Sequence, residues 1–391
     1  MNWNDKTAAN VKAIKPSGIR KFFDIAAQVK GVLSLSIGEP DFAAPDKVLA
    51  AMKASLDAKE TSYTGNSGMM ELREAISHHF EQRYGVHYDP KDEILVTVGV
   101  SEGLAMALLA ITEPGDEVII PDPAYVAYPA SVELAGGTPV FVPTYPEHDF
   151  KLTVEALEKV ITPKTKAIVI GYPNNPTGTV MSAEELMPIA KFAEEHDLIV
   201  LSDEIYCELM YGDAKFTSFA KLPGMRERTV IFNGFSKAYA MTGMRLGYVC
   251  APREGLAPIL KLHQYAIMCA NTTAQVGGIT ALKECDDDVE AMRQEYDRRR
   301  KVIYKGLCDM GLPVFEPKGA FYIFPDIRCT GMTSAEFCEK LVQEEKVAVV
   351  PGTAFGDQGE GFVRISYAAS MDTIQEALKR MARFADKYKS C

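Results

Sequence analysis

Several features that would fix a function class at once are missing from this sequence. Its eight cysteines, at positions 207, 250, 269, 285, 308, 329, 338 and 391, form no C-x-x-C pair, and none combines with histidine at the spacing of a zinc site. That excludes a zinc ribbon and a dithiol redox motif. Positive charge is scarce: 42 lysines and arginines stand against 53 aspartates and glutamates, a net charge of -11. A broad nucleic-acid or anionic-membrane surface needs the opposite field, so neither partner is expected, while a local basic pocket for a small anion is compatible. No apolar run approaches the ~18 residues of a membrane span. The opening "MNWNDKTAANVKAIKPSG" is polar and has no apolar signal-peptide core. Internal repeats and low-complexity tracts are absent as well. Together these absences point to a cytoplasmic protein with reduced thiols.

What is present is the composition of a folded chain, 47% hydrophobic and 24% charged over 391 residues, long enough for one large or two ordinary domains. Beyond Pro90 a short apolar run, a glycine or proline turn and a helical stretch alternate. "EILVTVG" precedes "SEGLAMALLAI", "DEVIIPDPAY" precedes "PASVELAGG", and "TKAIVIGYPNNPTG" precedes "SAEELMPIAKFAEEH", where Ser182 and Glu185 form a capping box. "DLIVLSDEIY" and "TVIFNGFSK" add two more runs. Apolar residues on both faces of each run predict strands covered by helices on either side, hence an α/β fold with a mostly parallel central sheet. The tail reads differently, as a long helix over "DDDVEAMRQEYDRRRKVIYKGLCDMG" followed by short strands and a helix, "SAEFCEKLVQEE". This predicts a large α/β domain over 48–285 and a smaller α+β domain built from 1–47 and 286–391.

Ligands of such sheets bind beyond the strand C-terminal ends, where Ser101, Asn175, Asp203 and Lys237 each follow an apolar run. Taken singly these residues mean little. A lone lysine is on the surface roughly nine times in ten. Asp203 could cap a helix, "NNPTG" is ordinary turn chemistry, and Arg364 could be a paired structural arginine. As a set they offer an amine, a carboxylate, a phenol, an amide and two arginines on one edge. Pyridoxal phosphate needs that set: a lysine for its aldehyde, a carboxylate for its ring nitrogen, donors for its phenolate oxygen and an anion cradle for its phosphate.

From residue 16 almost to its end the chain resembles the fold type I, class I pyridoxal-phosphate aminotransferases. The resemblance rests on "SIGEPDF", "SYTGNSGMMELREAI", "VTVGVSEGL", "PGDEVIIPDPAYVAY", "YPNNPTG", "LSDEIY", "SKAYAMTGMRLG", "GAFYIFP" and "FVRISYA", in that order. Within the class it is most similar to the bacterial branch of aromatic, aspartate and N-acetyl-diaminopimelate aminotransferases. The resemblance implies that Lys237 holds the cofactor as a Schiff base and that Asp203 keeps the ring nitrogen protonated. Asn175 and Tyr206 would bond the phenolate oxygen, and Tyr125 would stack on the ring. The phosphate would lie on the backbone amides of Val100 and Ser101, the Ser236 hydroxyl and Arg245. Tyr63 would reach it from the neighbouring subunit of a homodimer. Arg364 would grip the substrate α-carboxylate beside Gly38, with Gly18, Ile19 and Tyr322 near the substrate side chain.

The activity so implied is transfer of an amino group between an L-amino acid and a 2-oxo acid in a ping-pong cycle, with the cofactor alternating between pyridoxal and pyridoxamine phosphate. A carbon–sulfur β-lyase uses the same scaffold and lysine, and release of pyruvate and ammonia without a keto-acid acceptor would distinguish it. A pyridoxal-phosphate-sensing regulator shares the domain but needs a DNA-binding module, for which the stretch before "SIGEPDF" is short and unremarkable. Other features carry plainer readings. His78 and His79 point apart on a helix, "DRRRK" (297–301) reads as a solvated helix face, and Arg20 suits either an acidic substrate side chain or a surface ion pair.

Overall fold

The structure, a computed structural model, describes residues 1–14, 18 and 29–389. Strand β1 (Leu33–Ser34) is followed by β2 (Ile94–Thr97), β3 (Glu117–Asp122), β4 (Thr138–Pro143), β5 (Thr165–Ile170), β6 (Ile199–Asp203), β7 (Thr229–Gly234) and β8 (Gly247–Cys250). The last seven form one sheet in the order β2-β8-β7-β6-β5-β3-β4. All neighbours are parallel except at β8, which runs against both β2 and β7. This is the expected mixed, mostly parallel α/β sheet.

Alternate residues of each inner strand enter different cores, which is why these runs are apolar throughout. Ile231 packs with Phe80, Val96 and Tyr248 on one face, whereas Phe232 packs with Leu104, Leu108 and Val249 on the other. Val200 and Leu201 divide in the same way, as do Ile168 and Val169. Each such side chain contributes about 1.5–3 kcal/mol on burial. The helix Ala183–Glu195 begins with the anticipated capping box, Glu185 N–H donating to Ser182 Oγ and Ser182 N–H to the Glu185 carboxylate.

The C-terminal part adds β9 (Tyr322–Ile323), β10 (Val347–Ala348), β11 (Val350–Pro351) and β12 (Val363–Ser366). β11, β12 and β9 form an antiparallel sheet, and β1 pairs in parallel with β10. The helices Asp286–Asp309, Ser334–Glu345 and Met371–Tyr388 cover it, with Ile303, Leu341, Ile365 and Phe384 in a common core. The stretch "DRRRK" is a solvated face only in part: Arg298 and Lys301 are exposed, whereas the two arginines between them are not. Arg299 and Arg300 are 6% and 2% exposed. Arg299 pairs with Asp41 and Glu295, and Arg300 with Asp297 and Glu316. Both Asp41 and Glu316 lie outside the helix, so the helical charge pattern alone could not reveal the burial.

Candidate active site

The edge where β2, β3, β5, β6 and β7 end bounds a cavity of about 440 Å³. Glycines let the chain segments meet there. A Cβ on Gly234 would lie 2.7 Å from Gly247 Cα, and one on Gly247 would lie 2.7 Å from the carbonyl carbon of Gly99. Only glycine fits such an approach, so the loop carrying Ser236 and Lys237 sits against the start of the helix Gly99–Ile111. Arg245, in the left-handed region at φ 52°, donates through Nη1 to Thr242 O at 3.0 Å. Its Nη2 lies so near Gly99 that a Cβ on that glycine would come within 2.8 Å. Val100, Ser101, Ser236 and Arg245 therefore share one end of the cavity, an anion-binding combination of helix N-terminus, hydroxyls and guanidinium.

At the opposite end Arg364, on β12, is 2% exposed. It donates through Nη1 to Asn175 Oδ1 at 3.0 Å and through Nη2 to Ser36 O at 2.7 Å. Its guanidinium carbon lies 4.5 Å from the Tyr322 ring centre and 4.7 Å from that of Phe355. Gly38 passes close by, since a Cβ there would be 3.0 Å from Tyr322 Oη and 3.8 Å from both terminal nitrogens of Arg364. The Tyr206 and Tyr322 hydroxyls are 2.8 Å apart.

Lys237 lies between these ends and donates through Nζ to Gly38 O at 2.6 Å. Burial, reinforced by the Arg364 cation, pushes its amine down to about 8, against the pull of Glu39 and Asp203. Asp203, the last residue of β6, accepts from Tyr128 Oη at 2.7 Å through Oδ2 and from the Ile205 N–H at 3.2 Å through Oδ1. Burial raises its pKa, opposed by those two hydrogen bonds and by Lys237. Tyr125 lines the cavity and meets Tyr128 edge-on, with ring centres 5.6 Å apart.

The structure thus gathers into one cavity Lys237, Asp203, Tyr206, Val100, Ser101, Tyr125, Asn175, Ser236, Arg245, Gly38, Arg364 and Tyr322. Tyr63 does not line it; that side chain is 81% exposed. Ile19 and Arg20 lie outside the described residues, and a Cβ on Gly18 would lie 3.4 Å from Ala354 Cβ. Sequence reasoning missed Tyr128, Phe355 and Glu39. Tyr128 had a usable signal, helical spacing from Tyr125 beside the strand that ends at Asp122. Phe355 had none, because only the fold brings its turn to Arg364.

With the geometry in place, comparison with known proteins decides the family. Residues 30–381 match the family described as aminotransferase class I and II. The chain belongs to the class I and II aminotransferases. An aspartate aminotransferase of Pyrococcus abyssi is 50% identical over 372 residues, spanning 95% of this chain and 96% of that protein. Aromatic-amino-acid aminotransferase 2 of Thermococcus litoralis is 47% identical over 375 residues, spanning 95% and 96%. The crystal structure of an aromatic aminotransferase from Pyrococcus horikoshii superposes with a TM-score of 0.90 at 49% identity, over 94% of this chain and 99% of that one. The activity of this aminotransferase is transfer of an amino group between an amino acid and an oxo acid.

Proposed function

We propose that this aminotransferase binds pyridoxal phosphate covalently at Lys237 and receives an L-amino acid or 2-oxo acid with its α-carboxylate on Arg364. The observation that carries the reading is a cavity with an anion cradle at one end, a buried guanidinium at the other and an amine of lowered pKa between them. The residues fit the cofactor. The helix Gly99–Ile111 begins at Val98 without a side-chain cap, leaving first-turn N–H groups for a phosphate. Each Asp203 oxygen accepts one bond from the protein and keeps a lone pair for a ring N–H. Asn175 commits its carbonyl oxygen to Arg364, which turns its amide N–H₂ into the donor for the phenolate oxygen. Arg364 Nε is buried without a partner among the described residues, a donor held for a ligand.

When bound, pyridoxal phosphate supplies an aldehyde that captures amines and a protonated ring that withdraws electrons from the substrate α-carbon. The protein's own groups do the rest. Asp203 would hold the ring nitrogen as its charged partner, and Tyr125 would lie against the ring. Lys237 Nζ would be the amine that takes the aldehyde and, when free, the group that moves the substrate's α-proton; with a pKa of about 8 the amine has an appreciable neutral fraction near pH 7. Positioned proton transfer of this sort contributes roughly 10²–10⁴-fold.

Three wider elements belong to the same reading. The chain forms a homodimer in which Tyr63, exposed and not lining its own subunit's cavity, reaches the partner's phosphate end. Residues 48–285 form the cofactor domain, and 1–47 with 286–391 the smaller one. The compartment is the cytoplasm, in keeping with seven described cysteines that are all free thiols. The test is Lys237→Ala, purified and supplied with pyridoxal phosphate and a panel of amino acids. Loss of the covalent cofactor absorbance and of nearly all amino transfer is expected. Retention of both would remove Lys237 from its role.

A further inference from the structure

The first turn of the helix Gly99–Ile111 contains a carboxylate, Glu102, at the end of the cavity where an anion is to be held. On charge alone this is an odd choice, since a carboxylate repels a phosphate dianion. The surroundings resolve it. Glu102 Oε2 accepts the Val98 N–H at 2.5 Å, and Oε1 lies 2.5 Å from His263 Nδ1. The Glu102 and His263 side chains are 7% and 0% exposed. An ionised carboxylate only accepts, so Nδ1 carries the proton between them. His263 Nε2 is buried and has no partner among the described residues, so Glu102 is this imidazole's sole polar partner there. His263 belongs to the helix Arg253–Ala266, which packs along Gly99–Ile111.

Glu102, the fourth residue of the helix, reaches back to its start. It satisfies the N–H of Val98, the residue before the helix, while Val98 offers no side chain to cap the turn in return. No side chain among the described residues caps the N–H groups of the following turn. We infer that Glu102 and His263 are a positioning pair for the phosphate end of the site. Glu102 fixes the Val98–Ser101 turn so that its amides converge. His263 fixes Glu102, so that the carboxylate is turned back on the helix start and stays off the cavity lining, which lets a carboxylate and a phosphate share one helix terminus. This rests on the proposal that the cofactor phosphate lies at that terminus.

The test compares two ligands that differ only in the phosphate. Cofactor-free protein is titrated with pyridoxal phosphate and, separately, with pyridoxal, each followed by absorbance. Glu102→Ala and His263→Leu should weaken pyridoxal phosphate roughly 10- to 100-fold, the range for losing a buried hydrogen bond to a charged group, and weaken pyridoxal less than about threefold. Glu102→Gln keeps an acceptor for Val98 and offers an N–H to the imidazole, whose own proton moves from Nδ1 to Nε2. His263→Asn keeps an N–H for Glu102. Both should stay within about threefold of wild type for either ligand. Should the first two variants fail to fold, the two conservative ones still decide: a tenfold loss specific to pyridoxal phosphate in either overturns the assigned hydrogen bonds, as does equal weakening of both ligands in any variant. Wild-type affinity for pyridoxal phosphate in Glu102→Ala also overturns the inference. A wild-type protein that binds the two ligands equally well would instead remove the phosphate site itself.

Discussion

Replacing Arg364 by lysine keeps a positive charge at the substrate end of the cavity and removes its shape. The guanidinium is held by Asn175 Oδ1 and Ser36 O and lies between the rings of Tyr322 and Phe355. That leaves a fixed plane of remaining N–H donors to meet both oxygens of a carboxylate. A lysine ammonium can copy one of those bonds at best and does not fill the slot between the rings. Losing one charge-assisted bond to the carboxylate costs about 1.5–3 kcal/mol. Substrate dissociation constants should therefore rise roughly 10- to 150-fold, at 1.36 kcal/mol per tenfold. The assay is spectral titration of the cofactor-loaded protein with an amino acid and with the amine that lacks its carboxylate. Only the amino acid should weaken. Equal weakening of both, or wild-type affinity for the amino acid, would refute the argument that Arg364 reads the carboxylate.

Asp203→Asn removes the charge that keeps the ring nitrogen protonated while preserving the hydrogen bond from Tyr128; cofactor capture should persist, and removal of the α-proton in a single turnover should slow at least 10²-fold, whereas an unchanged rate would dismiss that role. Asp122 is pushed up to about 6, first by burial and then by the neighbouring Asp357 charge, against the backbone N–H groups of Gln358 and Asp357. A raised carboxyl favours the fold fully below its unfolded pKa of about 4, and that contribution is lost as pH rises through about 6. The melting temperature should accordingly fall between pH 5 and 7 in the wild type and fall less in Asp122→Asn; parallel profiles would contradict this. Tyr63→Leu should weaken pyridoxal phosphate, and mixing it with Lys237→Ala should yield hybrid dimers in which one site combines an intact Lys237 with an intact partner Tyr63. Recovery of activity on mixing supports the shared site, and its absence from verified hybrids excludes it.

The sheet was legible because burial on both faces leaves a direct trace, strands such as Thr229–Gly234 whose central Val230, Ile231 and Phe232 are consecutive apolar residues that all lie buried. The polar site residues were legible for a related reason: a lysine or aspartate ending such a run lies at the sheet edge where ligands bind. Arg299 and Arg300 were misread because their partners Asp41 and Glu316 are distant in sequence, so a buried ionic cluster has the pattern of a solvated helix. Phe355 and His263 leave no local trace either. Each matters through one tertiary neighbour, Arg364 and Glu102, and nothing in the spacing of their own elements points across the fold.

The central claim is that the amine of Lys237 is the covalent seat of pyridoxal phosphate. Reduction of the cofactor-loaded protein with borohydride, followed by proteolysis and mass spectrometry, tests it directly. One pyridoxyl phosphate per chain on the peptide containing Ser236 and Lys237, fixed to the lysine, is the predicted result. A label on another lysine, or none despite saturating cofactor, would contradict it.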